Sequence, residues 1–357
     1  MNIAFRVDAS AIIGTGHLMR CLTLADTLTV RGVLIRFVCR HLPEYFQDML
    51  SEKGYEFILL GGSTSDSSED DLVHSHWLES SQNSDAQAVV LALSDRTWDW
   101  LVVDHYALDA RWESALRQTA KKFFVIDDIA DRRHDCDILL DQNFYADMNT
   151  RYTEKVPGHC ELLLGPRYAL LRDEFCRLRQ QVKLRTGPVR RILVFLGGID
   201  TDNYTQCAIE ALENVKIYGI SVDVVIGAQH PYREDIKSSC IELGFDCYVQ
   251  TSHIAELMAS ADLAIGAGGS ATWERCCLGL PTLTVSLANN QTEIAKGLEL
   301  SGACQYVGSQ QMATVKVLHN AVVELLKNNN RLQEISDKAF SCVDGLGVDR
   351  VCKELMS

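Results

Sequence analysis

The segment Asp8-Ala9-Ser10-Ala11-Ile12-Ile13-Gly14-Thr15-Gly16-His17 places one imidazole directly behind two glycines. A neutral imidazole is a general base near neutral pH, and a helix N-terminus favours the neutral ring. Gly14 and Gly16 admit a close backbone approach to a ligand or a positive φ. Asp8 is an acid that could orient the ring of His17. The run begins like a G-x-G-x-x-G dinucleotide fingerprint but has Met19 at the third glycine, and no Lys-Ser or Lys-Thr follows as in a P-loop. Spacing alone leaves His17 open to a second reading, as a capping or loop residue.

A second glycine run, Gly266-Ala267-Gly268-Gly269-Ser270-Ala271-Thr272-Trp273-Glu274, has the composition of a phosphate cradle at a helix start. Glu274, one turn in, can accept from ribose hydroxyls or simply answer the helix dipole. Gly197-Gly198-Ile199-Asp200 with Asn203 suits a strand-end turn, with Asp200 either lining a ligand site or capping a helix. Asp104-His105-Tyr106 and Asn289-Asn290-Gln291 also follow apolar runs, the latter offering amides to a sugar or to a helix end. Between Asp127 and Asp141 lie six aspartates and His134, without the spacing of a hard-metal site, so no metal is expected.

The elements that must position these loops follow from periodicity. Short apolar runs at Ile3–Val7, Leu34–Cys39, Leu101–Val103, Phe123–Ile126 and Ile138–Leu140 predict strands of a first sheet. Leu18, Cys21, Leu22, Ala25 and Leu28 predict a helix after His17, with a mixed Arg20/Asp26 face. A second series runs through Ile192–Leu196, Val222–Ile226, Leu263–Ile265 and Thr282–Val285. Strands alternating with helices predict α/β architecture with parallel sheets. The expectation is two domains, 1–180 and 188–357, with basic Arg177–Arg191 as the connection and the polar stretch Gly61–Asp71 as an exposed loop. Ligands of such sheets bind where strands end, so the loops above should line a central cleft.

Bulk properties narrow the class. With 357 residues, 47% of them hydrophobic, and only six prolines, the chain is expected to pack into two globular domains. A formal charge of −14 argues against a nucleic-acid partner. No leader or membrane-spanning run is apparent, and thirteen scattered cysteines without a C-x-x-C pair fit reduced thiols, so a cytoplasmic protein is expected. The adjacent Cys276 and Cys277 read as small buried residues. The oligomeric state is not encoded in any motif, with a monomer expected over an oligomer.

The stretches FRVDASAIIGTGHLMRCLTLA, DHYALD, IDDIADRRHDCDILLDQN, GPRYALLRDEF and GAGGSATWERCCLGLPTLTV with NNQ resemble the UDP-sugar hydrolases of pseudaminic acid biosynthesis, from the N-terminus to about residue 300. The second half is also similar, more distantly, to the lipid-linked N-acetylglucosaminyl transferase of peptidoglycan synthesis. The resemblance implies a GT-B architecture: two Rossmann-like domains facing a central cleft. It implies hydrolysis of a UDP-linked diacetamido sugar, without a cofactor, in a pathway that serves flagellin glycosylation. His17 then matches the water-activating base. Gly14, Gly16, Tyr106, Arg172, Gly268, Gly269, Ser270, Glu274 and Asn290 match substrate-binding positions: Gly268–Ser270 the diphosphate loop, Glu274 the ribose carboxylate, Asn290 a cleft position near the sugar, Tyr106 one that positions the sugar or water, and Arg172 a substrate contact. Two other readings remain: a GT-B glycosyltransferase with a UDP-amino-sugar donor, and a nucleotide-sugar-binding module without catalysis. An expected partner is therefore a UDP-sugar, and neither a nucleic acid nor a membrane.

Overall fold

Apolar runs too short for a helix and closed by acids or glycines become buried parallel strands, as the computed structural model of the chain shows. The structure describes residues 1–10, 12–61, 70–213 and 219–357. Most of the expected loop at Gly61–Asp71 lies outside the described residues. The chain divides into two units: residues 1–143, 147–170 and 346–357 form the first, and residues 144–146 and 171–345 the second.

The first unit carries β1 (Asn2–Val7), β2 (Leu34–Cys39), β3 (Glu56–Leu59), β4 (Trp98–Asp104), β5 (Ala120–Ile126), β6 (Ile138–Asp141) and β7 (Glu161–Leu164). They form one parallel sheet in the order β3-β2-β1-β4-β5-β6-β7. This is the doubly wound order, with its switch point between β1 and β4, where Val7 pairs with Asp104. One face packs Phe5, Phe37 and Leu140, with Phe5 and Phe37 stacked at 5.1 Å; the other packs Val103, Trp112 and Phe123.

The second unit carries β8 (Arg191–Phe195), β9 (Ser221–Ile226), β10 (Asp246–Val249), β11 (Leu263–Ala267), β12 (Thr282–Ser286) and β13 (Gln305–Ser309). Their order, β10-β9-β8-β11-β12-β13, repeats the first pattern and puts its switch point between β8 and β11. Both units are thus Rossmann-like, as expected.

Two boundaries differ from the expected ones. Residues 346–357 pack with the first unit, not the second. The helix Gly347–Leu355 buries Val348, Val351, Cys352 and Leu355, and the Leu355 carbonyl accepts from Trp100 Nε1 at 2.9 Å. Gly347 is required there, because a Cβ would come within 2.3 Å of the Ala169 carbonyl oxygen. The basic stretch Arg177–Arg191 lies wholly within the second unit. Arg185 is buried and donates to the carbonyls of Met258, Ala259, Ala261 and Leu278, while Arg179 donates to those of Cys277 and Phe340. These two arginines are thus committed to carbonyl groups, while Arg177 pairs with Asp173 at 2.9 Å on the surface.

Candidate active site

In the first unit, Gly14 takes φ +81°, a conformation that favours glycine, and no atom lies within 4 Å of where its Cβ would be. Its amide donates to the Ser10 carbonyl at 2.8 Å, closing a tight turn. Gly16 opens the helix Gly16–Val30, and His17 is its second residue, with a side chain only 10% exposed. The sheet order does the rest. The loop after β1 and the end of β4 meet at the switch point, so His17 meets Asp104 across 87 positions of sequence: His17 Nδ1 and Asp104 Oδ1 are 2.5 Å apart.

Asp104, and not Asp8, therefore orients the ring. Asp8 is committed to Arg6 Nη1 and to the Arg40 amide, each at 2.7 Å, and faces His105 Nε2 at 3.1 Å. Arg20, one turn beyond His17, is buried rather than part of a solvated face. Its Nε and Nη2 both donate to Asp104 at 2.6 Å, and its Nη1 donates to Asp128 at 2.8 Å. Burial alone would raise the Asp104 carboxyl; Arg20 and then His17 outweigh it and hold Asp104 well below the usual carboxylate range. An ionised Asp104 only accepts, so Nδ1 is the ring nitrogen that donates to it, and a ring without a second proton then carries its lone pair on Nε2. An imidazole so held can take a proton from water, and the carboxylate behind it stabilises the resulting imidazolium.

Tyr106 is buried with its ring edge-on to His17 at 4.7 Å. Its hydroxyl donates to Asp128, and burial followed by Asp128 pushes the phenol well above its ordinary range. The hydroxyl is thus already engaged, and Tyr106 acts on its surroundings through its ring. Sequence reasoning missed Asp104, Arg20 and Asp128 as a set. The signal present was the i,i+3 pairing of His17 with Arg20 on one helix face, together with acids closing β4 and following β5.

In the second unit, β11 runs into Gly268-Gly269-Ser270 at that unit's switch point. The Gly268 amide donates to the Val285 carbonyl at 3.1 Å, and a Cβ on Gly268 would lie 3.1 Å from the Gln291 carbonyl oxygen. The loop is thereby fitted against the first turn of the helix Asn289–Ser301, which contains Asn290. The first turn of the helix Ala271–Cys277 closes with Thr272 N to Gly269 O at 2.9 Å and Trp273 N to Ser270 O at 3.1 Å. The amides ahead of that turn are the ones a phosphate would meet.

Glu274 is mostly buried, and Arg172 Nη2 donates to it at 3.3 Å while Arg172 Nη1 lies 2.8 Å from Glu174. Burial raises the Glu274 carboxyl, and Arg172 partly offsets the rise. Two residues 102 positions apart in sequence, each expected at the substrate, are therefore neighbours. Asp200 is a cap: its carboxylate accepts from the amides of Tyr204 at 3.0 Å and Thr205 at 2.7 Å. Cys276 and Cys277 are buried, as expected, and burial pushes both thiols up.

The fold defined by two such units is that of the GT-B glycosyltransferases. Among solved structures, MurG of Acinetobacter baumannii superposes with a TM-score of 0.66 at 14% identity, covering 99% of each chain. UGT71G1 of Medicago truncatula, complexed with UDP-glucose, gives 0.63 at 14% identity over 100% of this chain and 98% of its own. Residues 191–347 match the model of the Glycosyltransferase family 28 C-terminal domain. The chain is similar to the UDP-2,4-diacetamido-2,4,6-trideoxy-beta-L-altropyranose hydrolase of Campylobacter jejuni, at 25% identity over 85% of this chain and 97% of that one. It is also similar to the spore coat polysaccharide biosynthesis protein SpsG of Bacillus subtilis, at 24% identity over 98% of this chain and 96% of that one. Among the described residues, no helix is long and apolar enough to cross a membrane.

Proposed function

We propose that this protein hydrolyses a UDP-linked 2,4-diacetamido-2,4,6-trideoxy sugar of the altropyranose type, releasing UDP and the free sugar. The observation that carries the reading is the imidazole of His17 held through Nδ1 by a buried, ionised Asp104. Pure binding has no need of a base prepared in this way. Similarity to the Campylobacter jejuni hydrolase over most of both chains supports the choice of substrate.

In this reading His17 Nε2 takes a proton as water attacks the anomeric carbon. The bond from that carbon to the UDP oxygen breaks, and its electron pair leaves on the phosphate. One displacement inverts the anomeric centre. UDP departs as an anion, so no second carboxylic acid has to protonate it. The amides at Gly269 and Ser270 take up the developing charge without a metal. Glu274 accepts from the ribose, Arg172 and Asn290 bind the sugar, and Tyr106, buried against the ring of His17, positions the base rather than touching the sugar. Gly14 and Gly16 shape the loop that carries the base. Such a cytoplasmic enzyme would serve pseudaminic acid synthesis for flagellin glycosylation.

The family-28 match favours one second reading, transfer of the sugar to an acceptor alcohol. Incubating the purified protein with UDP-diacetamido sugars in ¹⁸O-labelled water separates the two by NMR and mass spectrometry. Expected are UDP and a sugar that carries the label. Label in the nucleotide product, or sugar released only when an acceptor is added, would overturn hydrolysis at carbon.

A further inference from the structure

The segment after the undescribed residues 62–69 brings two rings to the base that the reaction above does not use. It is firmly pinned. Asp70 accepts from Gln82 Nε2 at 3.0 Å, from Arg111 Nη2 at 2.8 Å and from the Leu72 amide at 3.2 Å. Leu78, 1% exposed, anchors the other end of the short turn Ser75–Trp77 in the core. Between these anchors the Trp77 indole stacks on Tyr106 with centroids 5.3 Å apart and planes 26° apart. It stands edge-on to His17 at 6.1 Å. His74 packs against both, 4.7 Å from Trp77 and 5.2 Å from Tyr106. Burial lowers the His74 imidazole, so it is a neutral ring at neutral pH.

The rings divide the work unequally. Tyr106 is buried and its hydroxyl is taken, so it serves as backing. Trp77 keeps part of its surface exposed, which makes it the aromatic group beside His17 that a ligand can meet. An indole face suits C–H bonds and methyl groups, and gains little from a face rich in hydroxyls. We infer that Trp77, backed by Tyr106 and flanked by His74, is a specificity-determining platform for the apolar face of an N-acetylated sugar. This rests on the proposed reading that His17 faces a UDP-sugar. Acetamido and 6-deoxy methyl groups are the parts of such a sugar that the platform would cover, and covering them fixes the anomeric carbon relative to the base.

The test measures affinity for UDP-N-acetylglucosamine and for UDP in wild type, Trp77→Ala and Trp77→Phe, together with kcat and KM for UDP release from the diacetamido substrate. Trp77→Ala is expected to weaken the UDP-sugar about ten-fold while leaving UDP unchanged, with a cooperative thermal melt reporting an intact first unit. Trp77→Phe should restore most of the loss, and KM should rise more than kcat falls. Equal losses for both ligands, no dependence on Trp77, or no binding of the UDP-sugar by wild type would overturn the platform. The two readings fail separately. A Trp77-dependent preference without UDP release keeps the platform and removes hydrolysis; hydrolysis with unchanged kcat/KM in Trp77→Ala does the reverse.

Discussion

The two units share a strand order and place their candidate residues at the same topological point, yet build them from different materials. In the first unit the switch point is made of side chains: one imidazole, one guanidinium and two carboxylates, all largely withdrawn from water. In the second it is made mainly of backbone: glycines fitted closely to the neighbouring helix, with Arg172 and Glu274 at the margin. Proton transfer needs a lone pair aimed by charged neighbours, whereas an anion needs amides that can be approached. The same doubly wound scaffold can supply either, because the choice lies in the loops.

The largest expected effect comes from the side-chain site. His17→Ala should lower turnover by about 10²–10⁴-fold with UDP affinity retained. Asp104→Asn should lower turnover comparably and, unlike His17→Ala, lower the melting temperature, because Arg20 loses its main counter-charge. Turnover and thermal melts of the two variants check this, and an Asp104→Asn enzyme within two-fold of wild type would remove the dyad from the mechanism. Glu274→Ala should act on the other side of the comparison, weakening UDP by roughly 10-fold with kcat little changed, as for loss of a charged hydrogen bond. Calorimetric titration with UDP reads it, and unchanged affinity would reject the ribose role.

The smallest effect is on pH dependence. Burial would raise Asp127, but Arg132 and His134 outweigh it and carry the carboxyl from 3.8 down to about 2. A folded value below the unfolded one contributes stability that is complete above about pH 4 and lost as pH falls towards 2. Glu274, raised in the fold, has the opposite sign: its contribution is present at low pH and lost as pH rises. Urea midpoints between pH 6 and 3 should therefore fall with acid, and Asp127→Asn should flatten the slope. A slope unchanged by Asp127→Asn would detach this carboxylate from acid unfolding.

The central strands were legible because both their faces are buried, which leaves a plain apolar run. The four strands that the sequence did not announce, β3, β7, β10 and β13, are the four sheet edges. β10 and β13 mix half-buried positions with polar residues, while β3 and β7 carry short apolar runs, Phe57–Leu59 and Leu162–Leu164, that are opened by a glutamate and left partly exposed. The glycine loop was legible for the opposite reason, since its chemistry is local. The partners of His17 were not, because Asp104 and Asp128 reach it only through sheet order, and a buried Arg20 has the same letter as an exposed one. Arg185 misled in the same way: a guanidinium that satisfies four carbonyls looks, in sequence, like part of a solvated hinge.

The last helix, Gly347–Leu355, has a consequence for synthesis. Its apolar residues complete the core of the first unit, and its Leu355 carbonyl is the acceptor for Trp100. Ribosomes make the His17 loop well before this helix, so the core beneath it closes only once the second unit has been translated. The first unit is therefore completed after the second, and until then a nascent chain carries the base on a sheet with one face incompletely covered.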